Sequence, residues 1–203
     1  MCDQFRVAVL ASGSGTNLQA LIDAFESGGL KGQIALVISD NNQAYALERA
    51  SKHNIPAHYI GREDFESREE YEMEMVKVIK DQQVDLVLLA GFMRILSPKF
   101  LEHFPGQIMN IHPSLLPAFK GLDAQGQALE YGAKISGCTV HFVDEGMDTG
   151  PIILQAAVPV LADDSRDDLA KRILKEEHRI YPEAVKLYQE GRLKRDGRHV
   201  IQK

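Results

Sequence analysis

Apolar runs alternate with amphipathic runs through the first half of the chain. The stretch 18–25 has its large apolar residues at the spacing of one helix face, which predicts a helix. The stretch 84–90 is almost wholly apolar, which is typical of a central strand in a parallel sheet. The same criteria predict further strands at 5–11, 34–39 and 57–60, and further helices at 44–53 and 67–83. Ser67, with Glu70 three residues on, is a candidate N-cap for the last of these helices.

The order strand–helix–strand–helix–strand predicts a doubly wound α/β fold, with a mostly parallel, twisted sheet and helices on both faces. We expect residues 1–100 to form the Rossmann-like half of a single domain that spans residues 1–203. Ligands of such sheets bind beyond the carboxyl ends of the strands. Chemistry is therefore expected in the turns that follow Ala11, Ala90 and Ile111.

The second half of the chain, residues 101–203, is less regular, and we expect it to form an α+β elaboration. The alternation of polar and apolar residues at 139–143 favours a strand with one solvated face. A long amphipathic helix is predicted at 165–190, interrupted or kinked at Pro182. The remaining predicted elements are strands at 107–111, 136–143 and 151–160 and a short helix at 125–131.

Composition and charge narrow the function classes. Of the 203 residues, 44% are hydrophobic and 26% are charged, which is ordinary for a globular protein. A net charge of −6 argues against a nucleic-acid binder. Only residues 192–199 are locally basic, and we interpret them as a solvated C-terminal tail.

The sequence also indicates a compartment. No apolar run reaches the roughly 18 residues that a membrane span needs, and residues 1–6 lack the basic and apolar segments of a signal peptide. The two cysteines, Cys2 and Cys138, are far apart in the chain, which favours free thiols in a reducing compartment. We therefore expect a cytoplasmic protein with no membrane partner.

A glycine-containing turn follows the first predicted strand, with the sequence SGSGTNL at residues 12–18. Gly13 and Gly15 allow a tight turn and close approach of a ligand to the backbone. The helix that begins here offers amides and a positive dipole end, and Thr16 and Asn17 add side-chain donors. The turn matches neither the dinucleotide fingerprint nor a Walker loop. It predicts a cradle for one phosphate or, as the alternative, a capped turn without a ligand.

The strand predicted at 107–111 runs into the sequence NIHPSLLP at residues 110–117. Asn110 and His112 are two residues apart at a strand end and therefore point to the same side. An amide donor beside an imidazole can stabilise a developing oxyanion and exchange a proton. A histidine that is only hydrogen-bonded structure is the alternative.

A third candidate lies in the acidic loop DEGMDTGP, residues 144–151. A carboxylate close to His112 would favour the charged imidazolium and could relay protons through water. The pattern does not distinguish which acid does this, and a purely structural loop remains an equal alternative. The seven histidines show no HxxxH pair and the chain has no cysteine cluster, so no metal site is predicted.

An asparagine, a histidine and an acid without a serine or cysteine nucleophile suggest that a substrate group attacks a carbonyl directly. The protein would position the reactants, stabilise the oxyanion and transfer protons. This is acyl transfer without a covalent enzyme intermediate. The residues by themselves do not identify the carrier of the acyl group.

These motifs resemble the phosphoribosylglycinamide formyltransferases, a family of folate-dependent enzymes of purine synthesis, over residues 9–193. NIHPSLLP at 110–117 is shared with the wider superfamily of formyl-folate transferases. SGSGTNL at 12–18, AGFMRILS at 90–97 and DTGPII at 148–153 are similar to this particular family. The four motifs occur in the order that the family has.

The resemblance implies transfer of a formyl group from 10-formyltetrahydrofolate, as co-substrate, to the amine of phosphoribosylglycinamide. His112 would carry positive charge toward the formyl oxygen and Asn110 would donate to the same oxyanion. Asp148 would favour the charged form of His112 and shuttle the proton. The residues implied for the acceptor are Gly15, Thr16, Asn17 and, from the last helix, Glu177.

The resemblance also implies a folate site. A flat ring with donors and acceptors at its edge needs apolar walls and exposed backbone, which the segment 91–96 could supply, although plain core is the alternative for Phe92 and Leu96. The residues implied are Arg68 at the folate tail, Met93, Arg94, Ile95 and Leu96 around the pterin, and Asn110 with the loop of Asp144, Glu145, Gly146, Met147 and Asp148 that closes over it.

One segment departs from the family. Its members carry histidine in the stretch that matches residues 121–128, whereas Asp123 and Gln125 stand here and no histidine is present. This departure concerns the surroundings of the active site and not Asn110, His112 or Asp148.

Three other protein classes share part of the predicted site. Formyl-folate hydrolases use a similar site with water as acceptor but usually carry an additional N-terminal domain, and transfer-RNA formyltransferases carry an additional C-terminal domain. A non-catalytic nucleotide-binding module would need the phosphate loop but neither His112 nor Asp148. The expected partners are the phosphoribosyl acceptor and folate, with no nucleic acid, and a homodimer stays open.

Overall fold

A computed structural model describes residues 4–203 of the chain, so Cys2 and the first half of the segment tested for a signal peptide lie outside the described residues. The chain divides into two compact units, one ending at Met109 and the other beginning at Asn110. None of the described helices combines the length and the apolar composition that crossing a bilayer requires.

The first unit contains a parallel sheet with the strand order β3-β2-β1-β4. Helix α1 follows β1, α2 follows β2, and α3 lies between β3 and β4, as the alternation predicted. The elements are β1 (Arg6–Leu10), α1 (Thr16–Glu26), β2 (Gln33–Ser39), α2 (Tyr45–Lys52), β3 (Ala57–Tyr59), a short 3-10 helix (Arg62–Asp64), α3 (Arg68–Asp81), β4 (Leu86–Leu89) and α4 (Pro98–Glu102).

The predicted periodicities account for this unit. Strand β4 is buried along its whole length, as its unbroken apolar run requires. Helix α1 buries Leu18, Leu21 and Ile22 on one face. Ser67 caps α3 by accepting the Glu70 amide at 3.1 Å, as predicted. The short helices at 62–64 and 98–102 were not predicted, because each is too short to display a period.

The second unit begins within strand β5 and contains the strand order β5-β6-β7, with β6 and β7 antiparallel. Its elements are the end of β5 (Ile108–His112), α5 (Ala124–Tyr131), β6 (Ile135–Phe142), β7 (Ile152–Pro159), α6 (Arg166–Gln189) and a hairpin of β8 (Leu193–Asp196) and β9 (His199–Gln202). Together the units confirm the α/β fold with a mostly parallel sheet.

Three expectations for this unit were incomplete or wrong. Strand β6 has no solvated face along residues 139–142, because it lies between β5 and β7 and helix α6 packs against it. Helix α6 continues through Pro182 to Gln189, with Ile180, Tyr181 and Ala184 buried around the proline, so the interruption is wrong and the alternative, a kink, stays a prediction. The basic segment is largely exposed, as expected, but it folds into the β8–β9 hairpin.

Candidate active site

The carboxyl end of β5 carries Asn110 and His112, and a loop follows whose shape is set by a buried hydroxyl. Thr139 Oγ1 on β6 donates to the carbonyl of Ser114 at 2.7 Å and accepts the Leu116 amide at 3.1 Å. The Leu116–Pro117 peptide bond is cis. These hydrogen bonds anchor the loop beside the two predicted site residues.

His112 is buried, with 5% of its surface exposed, and both of its ring nitrogens face oxygen atoms. Nε2 lies 2.8 Å from the carbonyl oxygen of Phe119. Because a carbonyl only accepts, Nε2 carries a hydrogen and donates it. Nδ1 lies 3.4 Å from Oδ2 of Asp148. Nδ1 therefore faces a carboxylate, with which a hydrogen on Nδ1 would form an ion pair.

Asp148 is the acid that the fold brings to His112, which sequence reasoning left open within the acidic loop. Its backbone is left-handed, with φ of 52°, and Oδ2 accepts the Gly121 amide at 2.8 Å. Asp144 has a different task, because its Oδ1 accepts the Thr149 hydroxyl at 2.6 Å and the Gly146 amide at 3.1 Å within the loop. Asp144 therefore shapes the loop that presents Asp148.

His141, on β6, belongs to the same cluster and was missed as a site residue. Its Nδ1 donates to the carbonyl of Phe142 at 2.8 Å, which leaves Nε2 as an acceptor for Asn110 Nδ2 at 3.2 Å. Nε2 also lies 3.8 Å from Asp148 Oδ1. Burial lowers the pKa of His141 from its ordinary value, so the ring is held neutral. Its signal was a histidine between two large apolar residues, Val140 and Phe142, in a predicted strand.

The contact with His141 fixes the orientation of the Asn110 amide. Since Nε2 of His141 can only accept, the Asn110 side chain must present its NH₂ group and not its oxygen to that ring. An NH₂ group has two hydrogens, and one remains for another acceptor. Asn110 can thus offer a hydrogen to an oxygen that gains negative charge, while both ring nitrogens of His112 already face oxygen atoms.

Asp148 also lines a cavity of about 340 Å³ in the second unit. Its walls include three basic side chains, Lys120, Arg198 and His199, two of them from the C-terminal hairpin. Arg198 Nη1 donates to the carbonyl of Thr149 at 2.7 Å. The hairpin therefore holds the residue next to Asp148.

Glu177 lies on helix α6, in line with the apolar residues that the helix buries. Only 6% of its surface is exposed. The neighbouring positions on this stripe are Ile173, Ile180 and Tyr181, all buried. A carboxylate at such a position is uncommon in a helix that otherwise buries apolar side chains.

In the first unit, the predicted phosphate loop lies between β1 and α1. Gly15 is the N-cap of α1 and has a left-handed backbone, with φ of 67°. A Cβ added to Gly15 would lie 2.8 Å from the Cα of Ala46, so the position requires glycine. Thr16 and Asn17 form the first turn of α1, and Asn17 is buried.

The segment that follows β4 lies beside the start of this loop. The Met93 amide donates to Ser12 Oγ at 2.9 Å. Met93 and Ile95 expose 66% and 58% of their surfaces, which is unusual for large apolar side chains, whereas Leu96 is buried. Arg94 Nε donates to Asp40 Oδ2 at 2.6 Å. The segment therefore offers exposed apolar side chains. Leu96 instead lies in the core, which was the alternative interpretation of this residue.

Arg68 is brought to the same segment from the start of α3. Its Nε donates to Glu72 Oε1 at 2.8 Å, and its Nη2 donates to the carbonyl of Ile95. About half of the side chain, 53%, is exposed. The guanidinium is thus partly engaged within the first unit and partly open to a ligand.

The sequence is similar to known proteins along most of its length. A family model described as formyl transferase matches residues 5–185. Phosphoribosylglycinamide formyltransferase of Escherichia coli (strain K12) is 48% identical over 188 residues, which cover 93% of this chain and 89% of that protein. The chain belongs to the formyl transferase family.

Two other similarities define the extent of the relationship. The crystal structure of glycinamide ribonucleotide transformylase 1 from Symbiobacterium toebii has a TM-score of 0.97 and 52% identity, covering 100% of this chain and 95% of that one. The trifunctional purine biosynthetic protein adenosine-3 of Drosophila melanogaster is 53% identical over 188 residues, or 92% of this chain. This chain spans only 14% of the length of that relative.

The segment in which this formyl transferase departs from its family has a structural role. Asp123 caps helix α5 by accepting the Gly126 amide at 3.0 Å, and it pairs with Arg166 at 2.7 Å. Asp123 is exposed, so it is suited to capping and not to proton transfer. Within residues 4–203, no three His, Cys, Asp or Glu side chains are grouped closely enough to hold a metal ion.

Proposed function

We propose that this chain transfers the formyl group of 10-formyltetrahydrofolate to the amine of phosphoribosylglycinamide, a step of de novo purine biosynthesis. The observation that carries the proposal is the cluster of Asn110, His112 and Asp148, in which the imidazole lies between a carbonyl and a carboxylate. The names of two relatives that this chain covers almost completely support the acceptor and the formyl transfer. The proposal includes a cytoplasmic setting and no nucleic-acid or membrane partner, and it leaves a homodimer open.

In the proposed reaction, the acceptor amine attacks the formyl carbon directly. A nitrogen–carbon bond forms as the carbonyl oxygen becomes an oxyanion, which the charged His112 and the free hydrogen of the Asn110 amide stabilise. The bond from the formyl carbon to N10 of the folate then breaks. The amine loses a proton and N10 gains one, and Asp148, beside His112, relays it through water.

The acceptor is held by its phosphate in this proposal. Gly15, Thr16 and Asn17 offer backbone amides and side-chain donors at the start of α1, where the helix dipole favours negative charge. Glu177 contributes a buried carboxylate suited to ribose hydroxyls.

The folate is held by the segment after β4 and by the acidic loop. Met93 and Ile95 supply apolar surface for the pterin, Arg94 and the buried Leu96 contribute backbone groups, and Arg68 meets the carboxylates of the tail. The loop of Asp144, Glu145, Gly146, Met147 and Asp148 closes over the ring. Met147 is half-exposed, and Met93 and Ile95 are exposed. These exposed apolar side chains support the assignment, because a bound pterin would cover them.

The test is to mix the purified protein with 10-formyltetrahydrofolate and phosphoribosylglycinamide and to follow the deformylated folate by absorbance. We expect release that requires the acceptor. Release at the same rate without acceptor would identify a hydrolase. Binding of both ligands without release would identify a non-catalytic module, and either result would replace the proposed function.

A further inference from the structure

Helix α2 contacts the phosphate loop at three successive residues, and this contact determines how the loop amides point. The Ala46 amide donates to the carbonyl of Gly13 at 3.1 Å. Arg49 Nε donates to the carbonyl of Ser14 at 2.8 Å. Gly15 lies directly against Ala46, with no room for a Cβ. The carbonyls of Gly13 and Ser14 are therefore both turned toward α2.

The direction of the amides follows from the planarity of the peptide bond. In a trans peptide the C=O of one residue and the N–H of the next point in opposite directions. Because the Gly13 and Ser14 carbonyls point to α2, the N–H groups of Ser14 and Gly15 point away from it. Successive N–H groups that point to one side form a concave site for an anion.

Arg49 is held in place from several sides. Its Nη1 donates to Gln19 Oε1 on α1 at 3.0 Å, and its Cζ lies 4.8 Å from the centre of the Tyr45 ring. The side chain is half-buried. A guanidinium fixed at several points imposes a defined position on the Ser14 carbonyl, which a single surface hydrogen bond would not do.

We propose that Arg49 is a positioning residue for the acceptor's phosphate. By holding the Ser14 carbonyl it turns the Gly15 N–H outward and keeps the loop in its anion-binding form, and its charge adds to the attraction. Arg49 would then distinguish phosphorylated acceptors from unphosphorylated ones. This inference rests on the proposed function only in identifying the phosphate as part of the acceptor.

The test compares three variants. In Arg49→Ala we expect the KM for phosphoribosylglycinamide and the Kd for inorganic phosphate to rise about 10- to 100-fold, the usual effect of a lost charge-assisted hydrogen bond. We expect kcat to stay within about threefold and the Kd for folate to stay unchanged, since the substitution alters loop geometry and not the reacting groups. Arg49→Lys keeps the charge but cannot hold Ser14 and Gln19 together, so its KM should lie nearer to that of Arg49→Ala than to wild type.

Lys52→Ala is the matched control. Lys52 Nζ also lies 4.8 Å from the Tyr45 ring centre and donates to the Tyr45 hydroxyl at 2.8 Å. Because its described contacts involve Tyr45 and not the phosphate loop, this variant should keep the wild-type KM. Phosphate titrations by calorimetry, on variants whose circular dichroism matches wild type, measure the binding directly.

Two outcomes would overturn the inference. One is an unchanged phosphate Kd in Arg49→Ala; the other is full recovery in Arg49→Lys, which would mean that charge alone matters. Arg49→Lys keeps the test decisive if Arg49→Ala does not fold. The wild-type protein could also lack transferase activity and still bind phosphate in a way that depends on Arg49. That result would contradict the proposed function but support the inference.

Discussion

At the scale of single residues, two backbone carbonyls determine which ring nitrogen of His112 and of His141 carries a hydrogen. Phe119 accepts from Nε2 of His112 and leaves the other nitrogen facing the carboxylate of Asp148. Phe142 accepts from Nδ1 of His141 and leaves the other nitrogen as an acceptor for Asn110, which suits a ring that stays neutral. Ring tautomers are thus set by hydrogen bonds to the main chain.

The first prediction concerns His112. His112→Ala should lower kcat by about two to four powers of ten, which is the usual contribution of an acid–base group. The Kd values for folate and acceptor should change little, since other residues are proposed to bind them. Steady-state kinetics and calorimetry measure both. Unchanged turnover in this variant would remove His112 from the mechanism.

The second prediction concerns Asp148. In Asp148→Asn the side-chain oxygen can still accept the Gly121 amide, so the loop should keep its shape. The charged form of His112 loses its counter-charge, 3.4 Å away in the wild type. We expect lower activity, because a neutral amide replaces the carboxylate beside the ring. Steady-state kinetics measure it, and wild-type activity in this variant would remove Asp148 from the mechanism.

The third prediction concerns stability in acid. The pKa of His141 is lowered by burial in the folded chain, so below the ordinary histidine pKa of about 6.5 the unfolded chain binds a proton that the folded chain does not. The free energy of unfolding should therefore fall as the pH drops from 7 to 5, and His141→Gln should reduce this dependence. Urea denaturation at several pH values measures it. His58→Gln, at an exposed position, should behave as wild type.

At the scale of elements, strand β6 is the support of the site. It carries His141 beside Asn110 and Thr139 beneath the loop that follows β5. Thr139 Oγ1 donates once and also accepts from the Gln155 amide at 2.9 Å, so its hydroxyl serves both the loop and strand β7. The same loop contains Phe119, whose carbonyl orients His112.

The fourth prediction follows from this support. Thr139→Val keeps the shape of the side chain but leaves the Ser114 carbonyl and the Leu116 amide without their partner. We expect a loss of about 1–3 kcal/mol in the free energy of unfolding, the cost of buried groups left unpaired, together with a lower kcat. Thr139→Ser, which retains the hydroxyl, should recover most of both. Equal loss in the two variants would point to packing instead.

At the scale of the whole molecule, the net charge does not attract an anionic ligand. The net charge is −6, so attraction for a phosphate has to come from local groups such as the α1 amides and Arg49. The family relationship spans residues 5–185, and the hairpin of β8 and β9 follows it in the chain.

The fifth prediction concerns metal ions. We expect formyl transfer to be unchanged after dialysis against a chelator, because His112 and Asn110 supply the positive charge and the hydrogen bonds that the oxyanion needs. Assays before and after chelation, and after adding Mg²⁺ or Zn²⁺, measure it. Activity that is lost on chelation and restored by one metal would contradict this mechanism.

Most strands and helices were predictable from the sequence, because each rests on a local signal. The apolar run of β4, the face of α1 and the Ser67 cap need only neighbouring residues to be recognised. The errors share a cause. The burial of β6 and the continuity of α6 through Pro182 depend on what packs against them, which a local pattern does not contain.

The sequence by itself determined the α/β class, the family and the turns that carry polar groups, because hydrophobic period, turn chemistry and motifs are local properties of the chain. The acidic motif alone left Asp144 and Asp148 open and the family resemblance implied Asp148; the tertiary structure places Asp148 beside His112 and Asp144 within its own loop. Only the tertiary structure decided that His141 orients Asn110 across 31 residues of sequence. Those choices depend on strand neighbours and on backbone carbonyls that accept from a ring. The physical reason is that a hydrogen bond selects its partner by distance in space, which the fold sets.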